Sequence, residues 1–163
     1  MLHEAPQVLI ALEQSGLAAA IRQSVWAYPA ANVGHIVALT LFAGSVAIMD
    51  ARLLGAFAAT PPAGIVRPAR RLAMLGLLLM ALTGSVLFTA EASHVAMNPV
   101  FQIKAALIAL GVLNALLAAR PLDAVLDQVP AFESLPARVR LAALASLLIW
   151  ISVAACGRLI AYF

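Results

Sequence analysis

The chain has 163 residues, of which 64% are hydrophobic and only 10% are charged. Soluble domains are about 45–50% apolar and about 25% charged, so this composition excludes an ordinary soluble enzyme and indicates an integral membrane protein. The net charge of +3 does not indicate binding to nucleic acid, because the basic residues flank hydrophobic segments and form no solvated basic stripe. The length predicts a single membrane domain over residues 1–163.

The first predicted element is an amphipathic helix over residues 5–25. Leu17, Ile21 and Val25 recur at four-residue intervals, and several of the other positions are Gln or Arg. Such a helix is expected to lie on the membrane surface, followed by Trp26 and Tyr28 at the level of the lipid headgroups. A secretory signal is the competing interpretation, but the segment has no basic region at its start and its apolar stretches are short.

Four segments are long enough to cross a hydrocarbon core of about 30 Å, which requires roughly 20 helical residues. They are residues 28–54, 69–90, 99–119 and 140–162. Prolines mark the three connections and keep neighbouring helices from merging, with Pro68 assigned to the first connection and Pro121 to the third. The sequence therefore predicts an all-α fold, an integral membrane four-helix bundle preceded by an interfacial amphipathic helix.

The basic residues predict how the bundle is oriented. Seven arginines flank the first and third connections, namely Arg52, Arg67, Arg70, Arg71, Arg120, Arg138 and Arg140. The second connection, residues 91–98, contains no Lys or Arg. Basic residues next to short loops stay on the cytoplasmic side, so both termini are expected to face outward. In a bacterial inner membrane that side is the periplasm.

Two ionisable side chains lie inside membrane-length apolar segments, His35 in the first and Lys104 in the third. An ionisable group in hydrocarbon is costly and by default marks a functional site. The predicted topology places both near the outer face, where His94, Glu91 and Arg158 also lie. Two structural interpretations remain open, since His35 could hydrogen-bond a neighbouring helix and Lys104 could extend to the interface without any further role.

Helical spacing predicts which way these two side chains point. In the third segment, Lys104 shares one helix face with Leu107, Gly111, Asn114 and Ala118. In the first segment, His35 shares one helix face with Ala38, Leu39, Phe42 and Ser45. Small and polar stripes turn toward other helices, so both faces are expected inside the bundle. Matching contact surfaces are predicted at Thr83, Gly84, Ser146, Trp150 and Gly157.

Two other polar residues in the segments receive structural interpretations. Asn114 is expected to make an interhelical hydrogen bond. Asp50 belongs to the opposite membrane face, where pairing with Arg52, Arg70 or Arg71 is sufficient to explain it.

Haem would suit the residues near the outer face. It requires an imidazole donor, apolar walls and basic side chains for its propionates. His35 is the expected axial ligand, with His94 or Lys104 on the opposite side of the iron. The walls and propionate partners are expected among Phe42, Phe101, Trp150, Lys104 and Arg158. Copper is the alternative metal, with His35, His94, Met97 and Cys156 as its candidate ligands.

Three stretches carry a family resemblance: NVGHIVALTLFAGSVAIMDARLLG, FTAEASHVAMNPVFQIKAALIALGVLNALL and SLLIWISVAACGRLIAYF. Together they resemble a family of small bacterial four-span membrane proteins of unassigned function. A His followed by F-A-G and D-x-R-L-L, an R-R pair opening the second span, and F-x-x-K in the third are more distantly similar to the haem-carrying membrane protoporphyrinogen oxidases and to the copper-resistance D family. That likeness implies a haem ligand at His35 and a functional partner at Lys104.

The functional expectation is a haem b-binding membrane protein that acts as a small redox or electron-transfer component. The alternatives are a membrane oxidoreductase acting on a porphyrin or quinol-like substrate, and a copper-handling or cofactor-free structural subunit. The expected environment is the lipid bilayer. A redox partner in the membrane or periplasm and assembly into a homo-oligomer are compatible with the sequence.

Overall fold

The computed structural model describes residues 5–160 and 162. In chain order its helices are α1 (Gln7–Glu13), α2 (Gly16–Gln23), α3 (Ala27–Leu53), α4 (Pro62–Ala90), α5 (Ala92–Met97), α6 (Pro99–Val125) and α7 (Ala137–Leu159). The described residues contain no β-strand, which confirms the all-α prediction. Four helices, α3, α4, α6 and α7, are long and apolar enough to cross a membrane. The chain is a multi-pass membrane protein with a helical bundle.

The N-terminal segment forms two short helices, so the prediction of one continuous helix over residues 5–25 is wrong. The break occurs at Ser15, whose hydroxyl accepts a hydrogen bond from the Ala18 backbone N–H at 3.2 Å and thereby starts α2. Ala18 and Ile21 are buried, whereas the side chain of Leu17 is 64% exposed.

Two of the spanning helices are longer than predicted, because Pro68 and Pro121 lie inside them. α4 begins at Pro62, and α6 continues to Val125. A proline inside a helix removes one N–H donor and disfavours the preceding turn. Here the added turns bury Val66 and Leu122 in a shared apolar core, and this packing outweighs the cost of the prolines. The last span also differs, since α7 covers Ala137–Leu159; position 161 of the predicted span lies outside the described residues.

The bundle consists of two antiparallel helix pairs. α3 packs along α4, α6 packs along α7, and the two pairs meet through α3 and α7. The backbones of α4 and α6 do not approach each other. We call the end of the bundle that carries α1, α2 and α5 the N-terminal face, and the opposite end, with the two longer connections, the arginine-rich face.

A core cluster joins the two helix pairs at the arginine-rich face. Leu53 of α3 and Val66 of α4 pack with Leu126 and Leu135 from the connection that follows α6. The Phe132 N–H also donates to the Ala58 carbonyl at 2.8 Å, which links the two connections directly.

Near the middle of the bundle, two glycines allow close helix contacts. A Cβ at Gly76 would lie 2.8 Å from the Phe42 backbone nitrogen, and a Cβ at Gly111 would lie 2.8 Å from the Trp150 ring. Phe42 and Trp150 then meet edge to face, with ring centroids 4.6 Å apart. This aromatic pair joins α3 to α7, and it separates the N-terminal half of the bundle from the arginine-rich half.

Candidate functional site

His35 is held against α4 by a hydrogen bond to Thr83. Its Nδ1 atom lies 2.9 Å from the Thr83 hydroxyl oxygen, and that hydroxyl lies 2.7 Å from the Leu79 carbonyl. A carbonyl can only accept, so the 2.7 Å contact with Leu79 is a hydrogen bond when the Thr83 hydroxyl donates to it. In that arrangement the Thr83 oxygen accepts from His35 Nδ1–H, and the lone pair of the neutral imidazole lies on Nε2.

Gly84 permits the close approach of this ring. A Cβ at position 84 would lie 3.2 Å from His35 Cε1, which is tighter than ordinary packing. The side chain of His35 is half-buried between α3 and α4. The predicted contact with Thr83 and Gly84 is confirmed, and so is the inward orientation of the face that carries Ala38, Phe42 and Ser45, which are all buried.

Lys104 lies on the other helix pair and points inward. Its Nζ atom is 3.4 Å from the position that a Cβ of Gly157 would occupy, so it packs on α7. The ammonium is within electrostatic range of both Cys156 and His35. The predicted bundle-facing stripe on this helix is confirmed further along, where Gly111 holds Trp150 and the Asn114 amide donates to the Ala142 carbonyl of α7 at 3.0 Å.

Two aromatic pairs border the layer that contains His35 and Lys104. Toward the N-terminal face, Phe88 of α4 stacks on Phe101 of α6 with ring centroids 5.6 Å apart. Toward the middle of the membrane lies the Phe42–Trp150 pair. Seven residues separate His35 from Phe42, which corresponds to a rise of about 10 Å along an α-helix. The layer therefore combines apolar borders with one imidazole and one amine, and we call it the His35 layer.

The remaining predicted ligands are placed differently. His94 is exposed on the short helix α5. Arg158 is exposed near the end of α7, where its guanidinium donates to the Tyr162 hydroxyl at 2.6 Å and lies 4.7 Å from the centre of that ring. Residues 5–160 and 162 contain no group of three or more His, Cys, Asp or Glu side chains that could hold a metal ion. The His and Cys ligands of the copper alternative therefore do not come together there.

A set of hydrogen bonds at the N-terminal face, which we call the Glu13–Ser93 clamp, was not predicted. The Glu13 carboxylate accepts hydrogen bonds from both the hydroxyl and the backbone N–H of Ser93 at the start of α5. These bonds hold the pKa of Glu13 below its ordinary value, the hydroxyl bond contributing most. Arg22 donates to the carbonyls of Glu13 and Ala90, at 2.9 and 2.7 Å. The clamp fastens α1 and α2 over the end of α4, next to the exposed His94.

Asp50 is buried in the arginine-rich half, and the prediction that it pairs with an arginine is wrong. Its carboxyl group lies next to Ser146 of α7, and among the described residues its Oδ2 atom has no hydrogen-bond partner. Of the predicted partners, Arg70 pairs with Asp123 at 2.7 Å, and Arg52 donates from Nε to the Thr60 carbonyl at 3.0 Å. Arg67 pairs with Asp127 at 2.6 Å. These two ion pairs were not predicted, because Asp123 lies in the part of α6 beyond Pro121 and Asp127 lies in the turn that follows α6.

A cavity of about 490 Å³ lies between α4 and α6 in the arginine-rich half. Phe42 and Trp150, predicted as haem walls, line the end of the cavity nearer the N-terminal face. Asp50 lines its inner wall, which we call the floor. His35, Lys104 and Phe101 do not line it. The predicted aromatic walls are thus shared between the His35 layer and a separate cavity on the other side of the Phe42–Trp150 pair.

Comparison with curated proteins and with solved structures finds no match. The likeness to the membrane protoporphyrinogen oxidases and the copper-resistance D proteins has no support in these comparisons. One family model, described as a family of unknown function, DUF6644, matches residues 13–163. The match spans every helix from α2 onward, so the expectation of a family without an assigned function is confirmed, and this chain belongs to the DUF6644 family.

Proposed function

We propose that this protein binds haem b in the His35 layer and acts as a small redox or electron-transfer component of the membrane. The observation that carries the proposal is the hydrogen bond from His35 Nδ1–H to Thr83. A histidine that ligates a metal almost always donates its other ring N–H to a fixed acceptor, which sets both the tautomer and the ring orientation. His35 has this arrangement inside a membrane helix, with Nε2 left as the donor atom for iron.

The surroundings of His35 fit the rest of such a group. The aromatic pairs on either side supply apolar borders. On the opposite helix pair, Lys104 is the only Lys or Arg of the described residues whose side chain is half-buried within a span. Lys104 is assigned as the second axial ligand or as the partner of a propionate. His94 is the weaker choice for the second ligand, because it is exposed on α5.

Haem bound there would supply one-electron chemistry, and the protein's own part would be to orient it and to keep water out. Thr83 fixes the imidazole, and Gly84 lets α4 close on it. Burial of the site, the Thr83 contact with His35 and the role of Lys104, as a ligand or as a nearby charge, would tune the reduction potential.

The test is an absorption spectrum of the purified protein, oxidised and then reduced with dithionite, after expression with an ample supply of haem. We expect a Soret band and, on reduction, the sharpened visible bands of a b-type haem. A folded protein that is colourless and binds no added haemin contradicts the proposal.

We further propose that the protein resides in a bacterial inner membrane with both termini in the periplasm. Support comes from Arg67, Arg70, Arg138 and Arg140, which lie at the end of the bundle opposite α1 and α2. The test starts from a Cys156→Ser protein and adds single cysteines at the exposed positions Ala59, Ser134 and Gln7. In intact spheroplasts an impermeant maleimide should label only the cysteine at position 7. Labelling at 59 or 134 contradicts the orientation.

A further inference from the structure

The cavity between α4 and α6 has the form of a groove that opens sideways to the bilayer. The backbones of the two helices do not approach each other. Side chains bridge the gap at two levels: Phe88 stacks on Phe101 near the N-terminal face, and Arg70 pairs with Asp123 near the other. Between these bridges the mouth of the groove faces hydrocarbon. Any molecule that enters it from the side must be lipophilic.

The floor of the groove contains a carboxyl group whose hydrogen bonding is incomplete. Asp50 is only 1% exposed, and it lines the groove together with Ser146. Ser146 lies beside the carboxyl group, and Oδ2 has no partner among the described residues. A buried polar atom without a partner is destabilising and is uncommon in folded proteins. A ligand that hydrogen-bonds Oδ2 would remove this deficit.

The rest of the lining favours an uncharged ring. Phe42 and Trp150 close the upper end of the groove, and apolar side chains such as Leu77 and Leu122 form its sides. Anionic headgroups, including phosphates and fatty-acid carboxylates, would meet two carboxyl groups, those of Asp50 and Asp123, and the one lining cation, Arg70, is already paired with Asp123. A neutral ring that carries oxygen atoms avoids this repulsion and can pack against the aromatic pair.

We propose that this groove binds a lipophilic quinone or quinol, with a ring oxygen hydrogen-bonded to Asp50 and the tail leaving between α4 and α6. A carboxyl group suits both redox forms of such a ring. When ionised it accepts a hydrogen bond from a quinol hydroxyl, and when protonated it donates one to a quinone carbonyl. The volume of about 490 Å³ lies within the range of pockets for small organic ligands, about 300–1,000 Å³.

This proposal is independent of haem binding, since the groove and the His35 layer lie on opposite sides of the Phe42–Trp150 pair. Haem loss in a His35 variant would leave the groove intact. Conversely, a failure to bind quinone leaves the haem spectrum as it is. The two proposals can therefore fail separately.

Tryptophan fluorescence gives a direct binding assay, because Trp150 lines the groove and the chain has only one other tryptophan. That residue, Trp26, is exposed before α3 and can be changed to Phe. In the Trp26→Phe protein, reconstituted in nanodiscs, a short-tailed ubiquinone should quench Trp150 saturably at one site. The titration is run on haem-depleted protein so that the tryptophan signal reports the quinone alone.

Two variants test the site against one control. Asp50→Leu keeps the approximate size of the side chain and removes the hydrogen bond, so we expect a rise of about ten-fold in Kd. Ala115→Phe fills the groove from an exposed position on α6, so it should abolish saturable quenching even if Asp50→Leu folds poorly. Ser85→Ala is the control: Ser85 is exposed on α4, outside the groove, and its hydroxyl bonds only its own helix at Ala81. It should bind quinone like the parent protein.

Several results overturn the proposal. One is the absence of saturable quenching in the Trp26→Phe protein, and another is an unchanged Kd in both Asp50→Leu and Ala115→Phe. Competition by phosphatidylglycerol at stoichiometric amounts would identify a phospholipid site instead. Dissociation of a dimer by Ala115→Phe, without any quinone effect, would show that a second copy of the chain covers the groove.

Discussion

His35 Nδ1 lies 2.9 Å from Thr83 Oγ1, and the same Thr83 oxygen lies 2.7 Å from the Leu79 carbonyl. One hydroxyl group therefore connects the backbone of α4 to the imidazole of α3. When its proton is donated to the carbonyl, it acts on the histidine as an acceptor. A single residue thus holds the imidazole ring against α4.

Replacing Thr83 by Val keeps the shape of the side chain and removes this acceptor. We expect haem affinity to fall by about 10- to 100-fold, the usual cost of losing the partner of a ligating histidine. Haemin titration of the apoprotein measures it. Thr83→Ser, which keeps the hydroxyl, is the matched control and should stay within a few-fold of the parent. Equal affinities in all three proteins would mean that the Thr83 bond is only a helix contact.

Lys104→Arg separates a ligand or propionate partner from a residue that only anchors the helix at the interface. Arg keeps the charge but cannot ligate iron, and its planar guanidinium is bulkier than the ammonium. Space is limited at this position, since Nζ is 3.4 Å from the Cβ position of Gly157. We expect an altered visible spectrum or reduced haem retention. Arg120→Lys, at an exposed site on α6, should change neither. A spectrum identical to that of the parent protein would assign Lys104 to anchoring.

The two glycine contacts in the middle of the bundle predict a stability difference. Gly76→Ala places a Cβ 2.8 Å from the Phe42 backbone and Gly111→Ala places one 2.8 Å from Trp150. Overpacking of this kind typically costs about 1–3 kcal/mol. Gly44→Ala is the control, because nothing lies within 4 Å of its Cβ position. Unfolding in mixed micelles, followed by circular dichroism, should show that Gly76→Ala and Gly111→Ala are each less stable than Gly44→Ala. If all three variants unfold alike, the helix pairs do not pack as closely as described.

The Glu13–Ser93 clamp predicts a loss of N-terminal docking at acid pH. Hydrogen bonds from the Ser93 hydroxyl and N–H lower the pKa of Glu13 when α1 is docked. The bonded, ionised state therefore contributes its full stabilisation above the ordinary value of 4.5, and that contribution is lost as the pH falls through the lower pKa of the docked state. Hydrogen exchange across α1 and α2, measured between about pH 3 and 7 and corrected for intrinsic rates, should show that protection decreases as the pH falls.

Glu13→Gln supplies the control for this pH dependence. It removes the titrating group, so protection of α1 and α2 should become independent of pH in the same window. Protection that falls equally in both proteins would assign the acid sensitivity to some other group.

Hydropathy and helical spacing were sufficient to predict the spans and the faces that pack. Lys104, Gly111 and Asn114 share one face in the sequence, and in the structure all three contact α7. The helix ends were less predictable, because the buried contacts of Val66 and Leu122 extend α4 and α6 past Pro68 and Pro121. Such contacts depend on residues that are distant in the chain.

The polar contacts show the same limit. Glu13 and Ser93 are 80 residues apart, and neither has a sequence pattern that indicates the other. The predicted topology places Asp50 at the same membrane face as three arginines. In the bundle, however, Ser146 lies beside Asp50, and Arg70 pairs with Asp123. The groove itself depends on the separation of α4 and α6, which no local pattern encodes.

The most direct test of the central claim is the haem content of His35→Ala compared with the parent protein, both purified from haem-supplied cells and quantified as the pyridine haemochrome. Folding is checked in each by circular dichroism and gel filtration. The account predicts about one haem per parent chain and a loss of most of it in a folded His35→Ala protein, with His94→Ala retaining it. Equal haem content in parent and His35→Ala, or none in a folded parent, would contradict the assignment of His35 as the haem ligand.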